Sequence, residues 1–270
     1  FPSFSISLDS EIRKAYKGGW TYCNPKYQGR IVGGGKVYDV NSLYPYVMYS
    51  RELPFGYPKF IKGMPVYDKV YTLSIFSVLM TAKLKEGKLP CIQIKGTPLF
   101  LDTEYQTEIT EPTNIVCTNI DWGLWEEHYD IDVIAWNGSY MFKAARGFFK
   151  EYIDKWSTIK ANSEGGLREI AKLHLNSLYG KFATNPDVTP KIPILDYDTI
   201  KLVKGEEETR NPIYTPMGVV ITSYAREITI RAAQENYDVF AYADTDSLHL
   251  ITPNEPKGLN VDPNITGYWK

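Results

Sequence analysis

Three carboxylates stand out by their settings. Asp39 closes a strand-like run, Gly35–Val40, that follows the glycines Gly33 and Gly34. Asp244 and Asp246 lie in Tyr242-Ala243-Asp244-Thr245-Asp246-Ser247, between two short apolar runs, Val239–Ala243 and Ser247–Ile251, that read as the arms of a hairpin. Side chains two apart on extended backbone point the same way, which predicts that Asp244 and Asp246 share a face. Acids so placed repel each other unless a cation lies between them. Mg²⁺ takes oxygen ligands, typically one or two carboxylates plus substrate phosphates. Two such ions activate an attacking hydroxyl and stabilise a departing pyrophosphate. Alone, Asp-Thr-Asp is ordinary turn chemistry; the third acid at Asp39, ahead of Ser42-Leu43-Tyr44-Pro45, favours the metal reading.

A second group is cationic. Arg168, Lys172, Asn176 and Tyr179-Gly180 recur at helical spacing and share one face, with Lys160 at the end of the preceding helix. From Met141 to Lys181 there are eight Lys and Arg against four Asp and Glu, in a chain of net charge −2. Positive charge is therefore concentrated where a triphosphate would need it. A solvated helix face would carry the same charge. An aromatic beside a glycine adds a platform on which a base can stack.

The elements that must position these groups read as follows. Asn41–Pro45 breaks the first strand, and a helix begins within Tyr46–Ser50. Strands are expected at 70–84 and 89–95, joined as a hairpin through Glu86-Gly87-Lys88, and again at 114–120 and 132–143. Asp121 is expected to cap a short helix ending at His128. One helix is expected from about Ala145 to Lys160. A second is capped by Ser163, runs to Tyr179, and ends at Gly180 as a left-handed cap. Residues 187–210 read as a loop or small hairpin, and a helix spans about Gly218–Tyr237 before the acidic hairpin. Residues 1–35 are expected to be poorly held.

Composition narrows the class. A 43% hydrophobic, 23% charged chain of 270 residues is an ordinary globular protein of one or two domains, which argues against disorder and coiled coil. No apolar run approaches the roughly 20 residues of a membrane span, and FPSFSISLDS has no signal-peptide pattern. Cys23, Cys91 and Cys117 are widely spaced, which supports neither a disulfide framework nor a zinc site. They read as buried and unreactive, and His128, His174 and His249 as ordinary. The absence of an initiator Met suggests a segment of a longer polypeptide.

Together the motifs resemble those of family B DNA polymerases. Asp39-Val40-Asn41-Ser42-Leu43-Tyr44-Pro45 resembles motif A, Lys172–Gly180 motif B, and Tyr242–Ser247 motif C, in the family's order. Tyr16-Lys17-Gly18-Gly19 resembles the YxGG element between exonuclease and polymerase modules, and Thr222-Ser223-Tyr224-Ala225-Arg226 a primer-binding Tx2AR element. The long inserts are similar to those of protein-primed polymerases of small phages.

The resemblance implies an α+β fold: a palm with an antiparallel sheet, two-helix fingers and β-rich insertions. It divides the chain into palm with YxGG and motif A (1–50), a first terminal-protein region (51–148), fingers (149–186), a second terminal-protein region (187–210) and palm with motif C (211–270). It implies Asp39, Asp244 and Asp246 as catalytic carboxylates, with Asp39, the Val40 backbone and Asp246 on two Mg²⁺ ions (Mn²⁺ being the alternative) and Asp244 secondary. Nucleotide contacts would come from Ser42, Leu43, Tyr44, Lys160, Arg168, Lys172, Asn176 and Tyr179, with Tyr44 rejecting a 2′-hydroxyl. DNA contacts would come from Tyr16, Gly18, Gly19, Gly180, Thr222 and Arg226. Expected partners are primer-template DNA, dNTPs and a priming terminal protein, with no membrane, in a monomer acting in the cytoplasm of the host cell. Asp102-Thr103-Glu104 mimics an exonuclease motif but falls inside the insert and reads as chance. The exonuclease and thumb would lie outside these residues. Without them the segment could act only as a DNA or terminal-protein binding module. A different palm enzyme, such as a reverse transcriptase, is the third reading.

Overall fold

The structure is a computed structural model that describes residues 1–94 and 105–270; the Asp102–Glu104 run lies outside them. The chain begins with helix α1 (Ile6–Arg13) and strands β1 (Thr21–Cys23) and β2 (Lys36–Asp39). Helix α2 (Leu43–Ser50) follows motif A directly. It starts earlier than expected because Pro45 lies within its first turn, where the missing N–H costs nothing.

Strands β3 (Leu53–Ile61), β4 (Tyr71–Leu84), β5 (Ile92–Gln93), β6 (Tyr105–Gln106) and β7 (Glu108–Thr118), helix α3 (Asn119–His128) and strand β8 (Tyr129–Ala145) build the first insert. Its main sheet has the order β3-β8-β4-β7, all antiparallel. The hairpin expected between 70–84 and 89–95 is not formed: β4 pairs with β7 and β8, and short β5 pairs with β6. The alternating apolar side of β4 is satisfied by longer, more distant strands, which bury more surface than its sequence neighbour could. The cap of α3 is Thr118, whose Oγ1 accepts from Asp121 N–H, so Asp121 stands inside the first turn rather than at the cap.

Helices α4 (Lys150–Asn162) and α5 (Gly165–Phe182) form an antiparallel pair, the fingers. Two expectations change here. Ser163 ends α4 rather than capping α5, whose cap position is Glu164, and Gly180 lies inside α5 with ordinary helical backbone. Gly is tolerated there because α5 runs on through Lys181 and Phe182, and Phe182 packs edge-on to Phe149. Strands β9 (Asp187–Val188), β10 (Lys191–Asp196), β11 (Thr199–Lys204) and β12 (Glu208–Thr209) form two small ladders in the second insert.

Helix α6 (Thr215–Glu235) comes next; its N-terminal half is buried on every side, and Ile221, Ala225, Ile230 and Ala233 are fully buried, whereas Arg231 and Glu235 near its end are exposed. Strands β13 (Phe240–Asp244) and β14 (Ser247–Leu250) complete the palm sheet, ordered β1-β13-β14-β2. The segment ending at Lys270 extends it: Val40 bridges Trp269, and Asp39 exchanges both backbone hydrogen bonds with Lys270. The fold is thus α+β, with an antiparallel palm.

The N-terminal residues correct the expectation of loose attachment. Phe1 packs against Phe149, Phe182 and Tyr214. Ile12, Ala15 and Trp20 are fully buried, and Arg13 joins Asp9 to the Ala183 carbonyl. The longest exposed run of this segment is residues 28–35.

Candidate active site

The palm register places the acids. Asp39 ends β2 directly opposite Ser247 on β14, and Asp246 is the next residue along. The Val40 N–H donates to the Asp246 carbonyl at 2.8 Å, which locks the two strand ends together. Asp39, Asp244 and Asp246 all line one cavity of about 670 Å³.

The turn between the arms is tighter than extended alternation predicts. Thr245 has φ of 56°, and Asp246 N–H closes onto the Asp244 carbonyl at 2.6 Å. A β-branched residue at positive φ is strained and must be held by its surroundings. Trp20 O accepts from Thr245 N–H, and Thr229 Oγ1 donates to the Thr245 carbonyl. Gly19 packs so close to Thr245 that a Cβ would collide with it. Asp244 and Asp246 therefore do not share a face by simple alternation. The Asp244 carboxylate accepts from Thr21 and Thr245 hydroxyls, whereas Asp246 is half-buried and feels the Asp39 charge more than that of Asp244. Burial, then the neighbouring Asp39 and Asp244 charges, push the Asp246 carboxyl above its ordinary range, with Lys270 opposing them.

The fingers supply the opposite charge. Lys172, Asn176 and Tyr179 of α5 and Lys160 of α4 line the same cavity. Lys160 Nζ donates to Ser42 Oγ at 3.0 Å, and Ser42 sits at φ 58° at the start of α2. Burial, then Lys270, Arg168 and Lys172, lower the Lys160 ammonium from its ordinary value. Arg168 Nη1 donates to the Lys160 carbonyl near the C-terminal end of α4, where a cation is favoured, and lines an adjoining cavity of about 590 Å³ with Lys160 and Lys172. The Tyr44 and Tyr179 rings stack at 3.9 Å. Burial, then Tyr179, raise the Tyr44 phenol. Leu43 and Val40 are buried, so only their backbones could meet a ligand.

The remaining expected groups fall differently. Gly18 is exposed, and Tyr16, partly buried, lies near enough to Tyr179 for their charges to interact. Gly180, just beyond Tyr179, is half-buried. Direct primer contact by Thr222 and Arg226 is not met by the geometry. Thr222 spends its hydroxyl on the Gly218 and Val219 carbonyls, and Arg226 is 3% exposed. The Arg226 guanidinium forks onto Asp121 and donates to the Lys17 and Gly18 carbonyls, so it holds the YxGG backbone in place. Lys270 was missed by sequence reasoning. It belongs to none of the motifs, and only the pairing of its backbone with Asp39 brings its ammonium to the site.

Among the described residues, no three His, Cys, Asp or Glu side chains could hold an ion unaided. Two carboxylates and a backbone carbonyl, with coordination completed by water and phosphate oxygens, are the donor set Mg²⁺ accepts. The Asp39 and Asp244 charges beside the Asp246 carboxylate fit a bound cation.

Sheet, helical fingers and acids together are those of a polymerase palm-and-fingers core. Residues 1–264 match the family described as DNA polymerase type B, organellar and viral, and the chain belongs to that family. It is 47% identical over 273 residues to the DNA polymerase of Bacillus phage Nf, and likewise to that of Bacillus phage phi29, covering 100% of this chain and 48% of each relative. Identity to the DNA polymerase of Streptococcus phage Cp-1 is 35% over 278 residues, covering 100% of this chain and 49% of that protein. The structure superimposes on phi29 DNA polymerase complexed with primer-template DNA and incoming nucleotide substrates with a TM-score of 0.93 at 47% identity, covering 100% of this chain and 48% of that one. The phi29 enzyme complexed with single-stranded DNA gives 0.89 at 46%, covering 100% and 47%. The chain thus spans about half the length of the curated relatives it matches. Among the described residues, no helix is long and apolar enough to cross a membrane.

Proposed function

We propose that this chain is the catalytic core of a DNA-directed DNA polymerase that is primed by a protein and copies a linear phage genome inside the host cell. The observation that carries the reading is one cavity with Asp39 and Asp246 on its palm side and Lys160, Lys172, Asn176 and Tyr179 on its fingers side. Asp39, the Val40 carbonyl and Asp246 would hold two Mg²⁺ ions. The ions would supply charge neutralisation and a more acidic primer hydroxyl. Lys160, Arg168 and Lys172 bind the triphosphate of a dNTP. Tyr44 lies under the sugar, and Asn176, Tyr179 and Gly180 shape the nascent base pair. The 3′-oxygen forms its bond to the α-phosphorus, the α–β bridging bond breaks, pyrophosphate leaves, and the hydroxyl proton passes to water. In initiation a side-chain hydroxyl of the terminal protein takes the primer's place. Residues 51–148 and 187–210 serve as the two terminal-protein regions. Gly18 and Gly19 face the template backbone, with Tyr16 beside them, and Thr222 and Arg226 act on the primer side by holding that loop.

The test is primer extension with Mg²⁺, dNTPs and primed template, comparing the chain with its Asp246→Ala variant in the full-length protein. Metal-dependent extension that falls by at least about 10³-fold in the variant, with DNA binding retained, supports the assignment. Equal extension by both proteins overturns it. DNA or terminal-protein binding without any extension by either would favour the binding-module reading.

A further inference from the structure

Lys270 is a cation of the site that the sequence reading did not place there, and it lies past the residues matched by the family (1–264). Its placement is imposed by backbone. Lys270 N–H donates to the Asp39 carbonyl at 3.0 Å, and Asp39 N–H donates to the Lys270 carbonyl at 3.1 Å. Residues that exchange both bonds stand directly opposite each other, with their side chains on one face. Asn41 N–H donates to the Tyr268 carbonyl and Gly267 N–H to the Asn41 carbonyl, which repeats the pairing along the edge. Gly267, at φ 85°, lies too close to the Tyr46 ring for any Cβ. Trp269 is buried and bridges both Val40 and Val261. The ammonium is thereby delivered to Asp39, with Nζ at 3.2 Å from Oδ1.

The same side chain lines both the acid cavity and the adjoining cationic cavity shared by Lys160, Arg168 and Lys172. It is 44% exposed, on a flexible stem, so it has room to move between them. An ammonium at this distance and a divalent ion on the same carboxylate repel each other, so each weakens the other's hold on Asp39. We propose that Lys270 is a positioning residue that competes with metal for Asp39 and, when displaced, turns to the phosphates of the incoming nucleotide. Metal entry and nucleotide capture are thereby coupled: the ion that takes Asp39 releases a cation to the triphosphate side. The inference rests on the metal reading of Asp39 and Asp246.

The test is Mn²⁺ binding to the nucleotide-free full-length protein, followed by the paramagnetic signal of free Mn²⁺, in the unaltered protein and in Lys270→Gln, Lys270→Arg and Asp39→Asn. Lys270→Gln is expected to bind Mn²⁺ up to about fivefold more tightly, the scale of losing one exposed ion pair. Lys270→Arg is expected to stay near the unaltered protein, and Asp39→Asn to lose the site. In extension assays at saturating metal, Lys270→Gln is expected to raise KM for dNTP several-fold while kcat changes less. Unchanged or weaker Mn²⁺ binding in Lys270→Gln, with the site still lost in Asp39→Asn, overturns the role of Lys270 alone. Absence of any Asp39-dependent Mn²⁺ binding overturns the metal reading and this inference together.

Discussion

At the residue scale, the cavity is built from side chains held under constraint. Ser42 and Thr245, two of the three non-glycine residues at positive φ among the described residues, both border it. Each is held by long-range contacts: Ser42 by Lys160, Thr245 by Trp20 and Thr229. Such strain persists only where the surroundings over-determine the backbone. The Tyr44–Tyr179 stack fixes the ring that would lie under the sugar. On the proposed role, a smaller side chain there would remove the obstacle to a 2′-hydroxyl. Tyr44→Val is expected to reduce discrimination against ribonucleotides by about two orders of magnitude. Single-nucleotide insertion of matched dNTP and rNTP reads this directly, and an unchanged ratio would remove Tyr44 from that role.

At the element scale, α3 shows how an insert helix is keyed to the rest. His128, in its last turn, is buried, with Nδ1 2.7 Å from the Leu89 carbonyl. Burial, only partly offset by that hydrogen bond, lowers its basicity below the ordinary histidine value. The folded state therefore binds fewer protons than the unfolded chain below about pH 6.5. Its stability contribution is complete above that pH and declines as the pH falls through the depressed folded value. Melting temperature is expected to drop between pH 7 and 5, with a slope of at most about 1.4 kcal/mol per pH unit from this one group. His128→Asn should flatten that part of the profile; an identical slope in the variant would assign the acid sensitivity elsewhere. His174, also read as ordinary, stacks on Trp156 at 3.9 Å and braces the two finger helices.

At the scale of the whole molecule, one buried ion pair joins the first insert to the palm. Asp121 of α3 and Arg226 of α6 meet at 2.8 Å, with side chains 4% and 3% exposed. Burial alone would raise the Asp121 carboxyl, yet the Arg226 and Lys17 charges and hydrogen bonds from Arg226 and Ser223 hold it below its ordinary value. Removing one partner strands the other charge. Asp121→Leu or Arg226→Met alone is expected to cost about 3–5 kcal/mol, and the double variant Asp121→Leu/Arg226→Met to recover much of that loss. Urea unfolding of the four proteins of the cycle measures both; additive losses would show that the pair is not coupled. The second insert is different. Ile194, Leu195, Tyr197, Ile200 and Leu202 are exposed on the β10–β11 hairpin, so its apolar surface supports no core here. Deleting residues 191–204 is expected to leave the melting temperature within about 2 °C, since little buried surface is lost. If the hairpin helps to encircle DNA, products made per binding event become shorter. Unchanged product length in a trapped extension assay would exclude that role.

The same scales separate what was legible from what was not. Motif acids at strand ends, the β13–β14 hairpin, the two finger helices and the cationic face of α5 were all readable, because each rests on local spacing and side-chain period. By themselves the residues showed acids at strand ends and a helix with a basic face, and the motif resemblance supplied the α+β fold and named the polymerase. Tertiary structure decided the rest. It turned Arg226 inward onto Asp121, brought Gly19 beneath Thr245, paired β4 with β7 and β8, and set Lys270 against Asp39. None of these has a local signature. Each joins residues far apart in the chain, and only packing and backbone pairing, satisfied over the whole molecule, select such partners.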